Sequence, residues 1–231
     1  WGHYKGKGIT VSELIAASTL VKEGVIGEEE AEYLADIGCP GPGACGGMFT
    51  ANTMMCLTEA LGLALPYTAT TPAVDAAKLR QAIETGKKVV ELLEKDVRPS
   101  KILTEKAFEN AIAVDMAVGG STNTVLHLTA IAAEAGIELN PDIFDEVSRR
   151  TPHICNMAPG GPYYVHELHR AGGIPGIMKT LSQGGLIHKD CLTVTGDTWG
   201  EALEKATVYD EEIIRPLSNP IRPEGGIAIL W

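Results

Sequence analysis

Cys39-Pro40-Gly41-Pro42-Gly43-Ala44-Cys45-Gly46-Gly47-Met48-Phe49-Thr50-Ala51-Asn52-Thr53-Met54-Met55-Cys56-Leu57-Thr58-Glu59-Ala60-Leu61-Gly62 is the stretch around which the chain is organised. A loop with two prolines and four glycines up to Gly47 runs into a segment of helix formers. This order predicts Cys45 at, or within one turn of, a helix N-terminus. Unpaired backbone N–H groups and the positive end of the helix dipole favour a thiolate at such a place, and glycines let a ligand approach the main chain. The helix is expected to run to about Gly62. Met48, Ala51, Met55, Leu57 and Leu61 leave it few polar positions, which predicts burial on most sides, with Cys56 in the core.

Upstream, Thr10-Val11-Ser12-Glu13 is a capping box that opens a helix closed by Gly24. A second, acidic helix starts near Glu28 and ends at Ile37-Gly38, where glycine suits the left-handed position after a helix. Downstream, Pro66 to Pro72 reads as a connection. Pro72 suits the first turn of a helix carrying Leu79, Ile83, Val90 and Leu93, with its lysines and glutamates turned to water. Pro99 interrupts the pattern, and Thr104 caps a helix carrying Phe108, Ile112 and Met116 to Val118. Gly119-Gly120-Ser121-Thr122-Asn123 then feeds an apolar helix over 124–135, and Asn140-Pro141 starts another through Arg150. Ile154 to Met157 and Cys191 to Val194 are strand-like. Tyr163 to Arg170 and Ile174 to Leu181 are brief helices ended by paired glycines, and Thr198-Trp199-Gly200-Glu201 is a further capping box. From Tyr209, Pro216, Pro220 and Pro223 space a polar linker before a strand over Gly225 to Leu230. The expected division is one domain over 1–208, and a linker with the first strand of another over 209–231.

The charge balance excludes some classes of partner. With 19 basic against 30 acidic residues and a formal net charge of −11, no basic stripe is available to neutralise phosphates, so nucleic acid is not an expected partner. No apolar run approaches the roughly 20 residues that span a bilayer, and the first eight residues lack the apolar core of a secretory signal. A soluble, cytoplasmic protein is expected. Five cysteines, an odd number, argue against a disulfide framework and for reduced thiols that pack or bind metal.

Cys45 has Cys39 with five residues between them and Cys56 eleven residues on, which matches neither a zinc ribbon nor a thioredoxin pair. If Cys45 binds metal, its co-ligands come from distant chain; packing is the other reading. The turn Gly119 to Asn123 either holds an anionic group on free N–H groups and hydroxyls or simply starts a helix. Asp115, one helical turn earlier, either orients that turn or lies on a wet face. His166 and His169 are three apart, where a zinc-protease helix needs four, and read as surface or lightly packed. His127 reads as a hydrogen-bonded core histidine. A phosphate-loop reading of Gly41 to Gly47 lacks the Walker lysine and hydroxyl.

The run Pro40 to Met54 closely resembles the cysteine motif of the dihydroxy-acid/6-phosphogluconate dehydratase family. Val118-Gly119-Gly120-Ser121-Thr122-Asn123 with Leu126-His127-Leu128, Ala171-Gly172-Gly173-Ile174-Pro175, and Leu192-Thr193-Val194-Thr195-Gly196 are similar to further family stretches in the same order, as are Asn219-Pro220-Ile221 and Gly225-Gly226-Ile227-Ala228. The Pro-Gly-Pro-Gly-Ala-Cys form favours the dihydroxy-acid branch over the sugar-acid one. The resemblance implies an α/β fold: the helix-rich latter part of the family's N-terminal domain, ending at the first strand of a C-terminal β-barrel domain.

The same resemblance implies a hydro-lyase that takes water from a 2,3-dihydroxy carboxylate to give a 2-keto acid in branched-chain amino acid synthesis. It implies an iron–sulfur cluster held by three cysteines, of which Cys45 matches one, and a magnesium ion on the substrate. It implies a homo-oligomer, commonly a dimer. Gly120, Ser121, Thr122 and Asn123 are the candidate substrate-binding residues. The family's other cluster cysteines and first magnesium ligands correspond to positions before residue 1, and its magnesium-binding glutamate and proton-abstracting serine to positions beyond 231. No catalytic residue is therefore assigned within this chain, which is expected to be inactive as a fragment and prone to associate. A sugar-acid dehydratase of the same family and a non-catalytic folded module are the alternatives.

Overall fold

The computed structural model describes residues 2–229. A hairpin opens the chain, β1 (Gly2–Tyr4) pairing antiparallel with β2 (Lys7–Ile9). Helices α1 (Val11–Lys22) and α2 (Glu28–Gly38) pack on it around Ile9, Ala17 and Leu34. The Thr10–Glu13 capping box forms as expected: Thr10 Oγ1 accepts from Ser12 N, and Glu13 accepts from Thr10 N. Gly38, expected in a left-handed turn, is instead the last helical residue. Its requirement for glycine is steric, since a Cβ there would fall 2.5 Å from the Leu14 side chain.

The main core gathers on α6 (Glu105–Val118), which Thr104 caps. Eleven of its fourteen residues are buried. Four alanines among them let neighbours approach closely: α3 (Thr50–Ala60), α7 (Asn123–Glu134), α8 (Asp142–Arg150) and α10 (Gly173–Gln183). Helix α9 (Val165–Ala171) precedes α10 across the Gly172-Gly173 pair, and α11 (Trp199–Glu204) opens with the second expected capping box. Fully buried Trp199 donates its indole N–H to Ala60 O at 3.0 Å, tying α11 to the end of α3.

Further expectations change. Pro99 does not merely interrupt the chain but stands at the start of a four-residue helix, α5 (Pro99–Ile102). The long helix α4 (Ala76–Glu94) is capped by Asp75, so Pro72 precedes it rather than standing in its first turn, and it buries none of its residues. On α3, Met55 and Ala51 face outward, because the buried side is built from Asn52, Thr53, Cys56, Leu57, Glu59 and Ala60. The strand-like stretches at 154–157 and 191–194 form only isolated bridges, His153 to Arg222, Met157 to Tyr163 and Leu192 to Thr198, since no second strand lies alongside to extend them.

From Tyr209 the chain folds back over the helical core. Ile213, Ile214 and Ile227 join it, Arg215 N donates to Ile154 O, and Gly226 N donates to Met116 O at 3.0 Å. Residues 225–229 form no strand, and the remainder of the expected strand, Leu230, lies outside the described residues. Among the described residues no helix is long and apolar enough to cross a membrane.

Candidate functional site

Cys45 is exposed, on a loop that ends four residues later at Phe49, the N-cap of α3. The thiol thus lies further from the helix end than the sequence predicts, because Gly46 to Phe49 turn before the helix starts. The loop is pinned from several sides. Asn52 Nδ2 donates to Cys45 O at 3.1 Å and to Gly47 O at 2.9 Å. Met48 N donates to Ala158 O at 2.6 Å, and Ala73 N to Gly43 O at 2.9 Å. A backbone of glycines and prolines is held here by Asn52 of the adjoining helix and by two distant segments, at Ala73 and Ala158.

Beside Cys45 opens a cavity of about 400 Å³ whose lining includes His3, Asp75, Tyr164, His166, His169 and Arg170. Helix α9 delivers the last three, spaced so that they share one face. His169 Nδ1 lies 2.9 Å from Thr70 Oγ1. Burial holds both His166 and His169 below the usual histidine pKa, so neutral imidazoles line the cavity near neutrality. Arg170 supplies a cation, and the cavity suits a small anionic or polyhydroxylated molecule. His166 and His169 are half-buried, as the sequence predicts. Their place beside Cys45 is not legible in the sequence, where about 120 residues intervene; their shared helical face is the only local signal. Asn52 carries no such signal either, although it fixes the cysteine loop directly.

The other cysteines divide by burial. Cys39 is exposed at the end of α2, while Cys56, Cys155 and Cys191 are buried. Burial pushes the Cys56 and Cys155 thiols far up and Cys191 to about 11, which keeps them protonated packing groups. Among the described residues no cluster of three or more His, Cys, Asp or Glu side chains is placed to hold a metal ion.

The turn Gly119 to Asn123 docks on the start of α3 rather than lining the Cys45 cavity. Ser121 N donates to Thr53 Oγ1 at 3.1 Å, Thr53 Oγ1 donates to Met48 O at 3.1 Å, and Asn123 Nδ2 donates to Thr50 Oγ1 at 2.7 Å. Thr122 and Asn123 are exposed, Gly120 and Ser121 half-buried. Gly119 takes a left-handed φ of 60°. A Cβ on Gly120 would fall 2.1 Å from Asp115 Oδ1, so glycine is required there.

Asp115 is fully buried and orients the turn: its carbonyl accepts from Gly120 N, and its Oδ2 accepts from Thr124 Oγ1. Burial raises its carboxyl to about 7, and Oδ1 has no hydrogen-bond partner. The wet-face alternative for Asp115 is thereby excluded. His127, expected as a hydrogen-bonded core residue, is only half-buried on α7.

The profile of the family described as dihydroxy-acid/6-phosphogluconate dehydratase, N-terminal, matches residues 2–202. Three curated relatives, each named dihydroxy-acid dehydratase, match nearly the whole chain. That of Oleidesulfovibrio alaskensis is 52% identical over 232 residues, covering 100% of this chain and 42% of the relative. That of Pyrococcus abyssi is 50% identical over 230 residues, covering 100% and 42%. That of Sulfurisphaera tokodaii is 53% identical over 232 residues, covering 99% and 41%. The chain spans about two fifths of the length of these relatives.

Proposed function

The chain belongs to the dihydroxy-acid/6-phosphogluconate dehydratase family, and on that premise we propose that it forms the cysteine-bearing part of a hydro-lyase. That enzyme takes water from a 2,3-dihydroxy carboxylate to give a 2-keto acid. The observation that carries the reading is an exposed Cys45 thiol on a loop fixed by Asn52, opening on a cavity with neutral histidines and Arg170. The names of the relatives favour a dihydroxy acid over a sugar acid.

An iron–sulfur cluster fits the site as far as one ligand goes. Cys45 is an accessible, unpaired sulfur whose backbone is held by partners other than itself, which is how a ligand is kept in place before metal arrives. Among the described residues no group of three or more His, Cys, Asp or Glu is placed to hold a metal ion, and this reading takes the remaining ligands from chain other than the residues gathered here. A bound cluster with an open iron supplies Lewis acidity toward a departing hydroxyl, which is otherwise a poor leaving group. The implied magnesium finds no acidic cluster among the described residues, and none of these side chains is assigned to it.

The chain's own residues act by placement. Arg170 attracts and orients a carboxylate, while His166 and His169, uncharged, offer hydrogen bonds to hydroxyls without competing for that anion. The Gly120 to Asn123 turn serves through α3, with Ser121 and Thr53 bracing Met48 and hence the cysteine loop. A direct substrate contact by Thr122 or Asn123, both exposed, remains part of the proposal. The domain division at 208, the dimer and the cytoplasmic setting belong to the same reading.

The test is an anaerobic iron and sulfide assay on the chain alone and on the chain completed at both ends with a relative's flanking segments. Each is supplied with a dihydroxy acid and, separately, a sugar acid. The completed protein is expected to be coloured and to release 2-keto acid from the dihydroxy acid, and Cys45→Ser to remove both properties while circular dichroism is unchanged. A coloured, active Cys45→Ser protein would overturn the assignment of Cys45, and turnover of the sugar acid alone would move the enzyme to the other branch.

A further inference from the structure

The connection from α3 to α4 carries three threonines, and two of them turn their hydroxyls back to the local backbone. Thr68 Oγ1 donates to Leu65 O at 2.6 Å, and Thr71 Oγ1 to Tyr67 O at 2.8 Å. Thr70 does not follow them. Its hydroxyl lies 2.9 Å from Nδ1 of His169, 99 residues on, in the lining of the Cys45 cavity. Thr70 is 0% exposed, and among the described residues its hydroxyl has no other hydrogen-bond partner.

The hydroxyl is held in place from two sides. Glu59 accepts from Tyr67 N at 2.7 Å and from Ala69 N at 2.9 Å, which fixes the backbone just before Thr70. Gly173, the first residue of α10, packs over it, close enough that a Cβ there would fall 3.1 Å from Thr70 Oγ1. A buried side chain held in this way sets the imidazole it touches.

The direction of the bond follows from what each group can lose. If His169 Nδ1 carried the proton and donated it, the Thr70 proton would be buried with no acceptor, which costs a full hydrogen bond. If Thr70 donates instead, only an oxygen lone pair goes unused. Thr70 therefore donates, Nδ1 accepts, and the imidazole proton stands on Nε2. The ring has to be neutral for this. Burial keeps His169 below the usual histidine value; Asp75 acts against it, and Lys78 and Arg170 act with it. Nε2 has no hydrogen-bond partner among the described residues, so its N–H is left for a ligand in the cavity. The one lone pair of the neutral ring is already taken by Thr70, so this ring has none to offer a proton from the cavity.

We propose that Thr70 is a positioning residue of the Cys45 cavity: by donating to Nδ1 it keeps the His169 proton on Nε2, so that His169 meets a ligand as a hydrogen-bond donor and not as a base. The tautomer follows from these contacts alone, whereas the ligand class, an acceptor oxygen of a 2,3-dihydroxy carboxylate, rests on the functional reading of the cavity. Nitrogen NMR of the histidine-labelled chain at about pH 8, where unperturbed histidines are neutral, reads the tautomer directly. The parent is expected to carry the His169 proton on Nε2. Thr70→Val, which has the same shape without the donor, should move the tautomer ratio about tenfold toward Nδ1–H, and Thr70→Ser should stay within about twofold of the parent. A packing role gives the reverse order, because valine keeps the methyl contacts and serine loses one, and thermal unfolding of both variants reads that effect separately. Titration with 2,3-dihydroxypropanoate should shift the Nε2–H signal of His169 with equal affinity in the parent and Thr70→Ser, and about tenfold more weakly in Thr70→Val. A parent His169 protonated on Nδ1, or a Thr70→Val spectrum equal to that of the parent, would overturn the proposal whatever the Cys45→Ser assay shows. An Nε2–H signal that ignores the acid would overturn the donor role. Failure of the cluster reading in the Cys45→Ser assay leaves the tautomer unchanged, so the two failures are told apart.

Discussion

The Asn52 amide donates to the carbonyls of both Cys45 and Gly47, so one side chain that is 5% exposed holds two points of a loop rich in glycine. Replacing it with alanine leaves two carbonyls short of a donor, and Asn52→Ala is expected to destabilise the protein by about 1–3 kcal/mol. Cys45 should then react faster with iodoacetamide, as followed peptide by peptide so that exposed Cys39 serves as the internal standard. Asn52→Asp should be worse than alanine, since a carboxylate there faces two carbonyl oxygens. An unchanged alkylation rate in both variants would show that the loop holds its form without the amide. In the sequence Asn52 is one polar residue in a helix and gives no sign of which way it points. Cys45 stands out by its glycine setting, whereas the amide that fixes it is recognisable only once α3 has a buried side.

Elements defined by neighbouring residues were legible, and those defined by distant ones were not. Both capping boxes, Thr10 with Glu13 and Thr198 with Glu201, are local hydrogen-bond patterns and form as read. The β1–β2 hairpin is not legible because three-residue strands rich in glycine and lysine carry no alternation, and its turn uses Lys5 and Gly6 at positive φ rather than the usual Asn-Gly. Periodicity on α4 announces a helix without saying that Leu79, Ile83, Val90 and Leu93 face outward. Glu59 was silent as well, though it organises the connection after α3: its carboxylate accepts from Tyr67 N at 2.7 Å and Ala69 N at 2.9 Å. Glutamine at this position can accept one of these bonds but turns an N–H₂ group toward the other. Glu59→Gln is therefore expected to cost about 1–3 kcal/mol. Amide hydrogen exchange should quicken in residues 66–72, which carry Pro72 to the edge of the Cys45 cavity. Exchange that stays as slow as in the parent would show that the connection is held by other contacts.

At the scale of the whole molecule, burial of titratable groups in the main core makes stability depend on pH in a direction opposite to that of most folded carboxylates. Asp115 and Glu59 are both fully buried, and desolvation raises each to about 7, against about 4 in an unfolded chain. Between those values the unfolded chain has released the proton that the native state keeps. Stability from each group is therefore complete below about pH 4 and is lost as pH rises toward 7. Histidines 153, 166 and 169, held below their usual value by burial, pull the other way under pH 6.5, so the total curve alone does not separate the contributions. A comparison with Asp115→Asn does, because the histidines cancel. The variant keeps an oxygen for Thr124 and cannot ionise. Urea unfolding of both proteins from pH 4.5 to 8 should show the parent losing stability relative to the variant as pH rises. The relative loss has an upper limit of about 4 kcal/mol, from three units at about 1.4 kcal/mol each. A difference that is constant across this range would mean that Asp115 ionises as freely as an exposed carboxyl. The support of the Gly119 to Asn123 turn, and through Thr53 of the cysteine loop, would then rest on a charged Asp115.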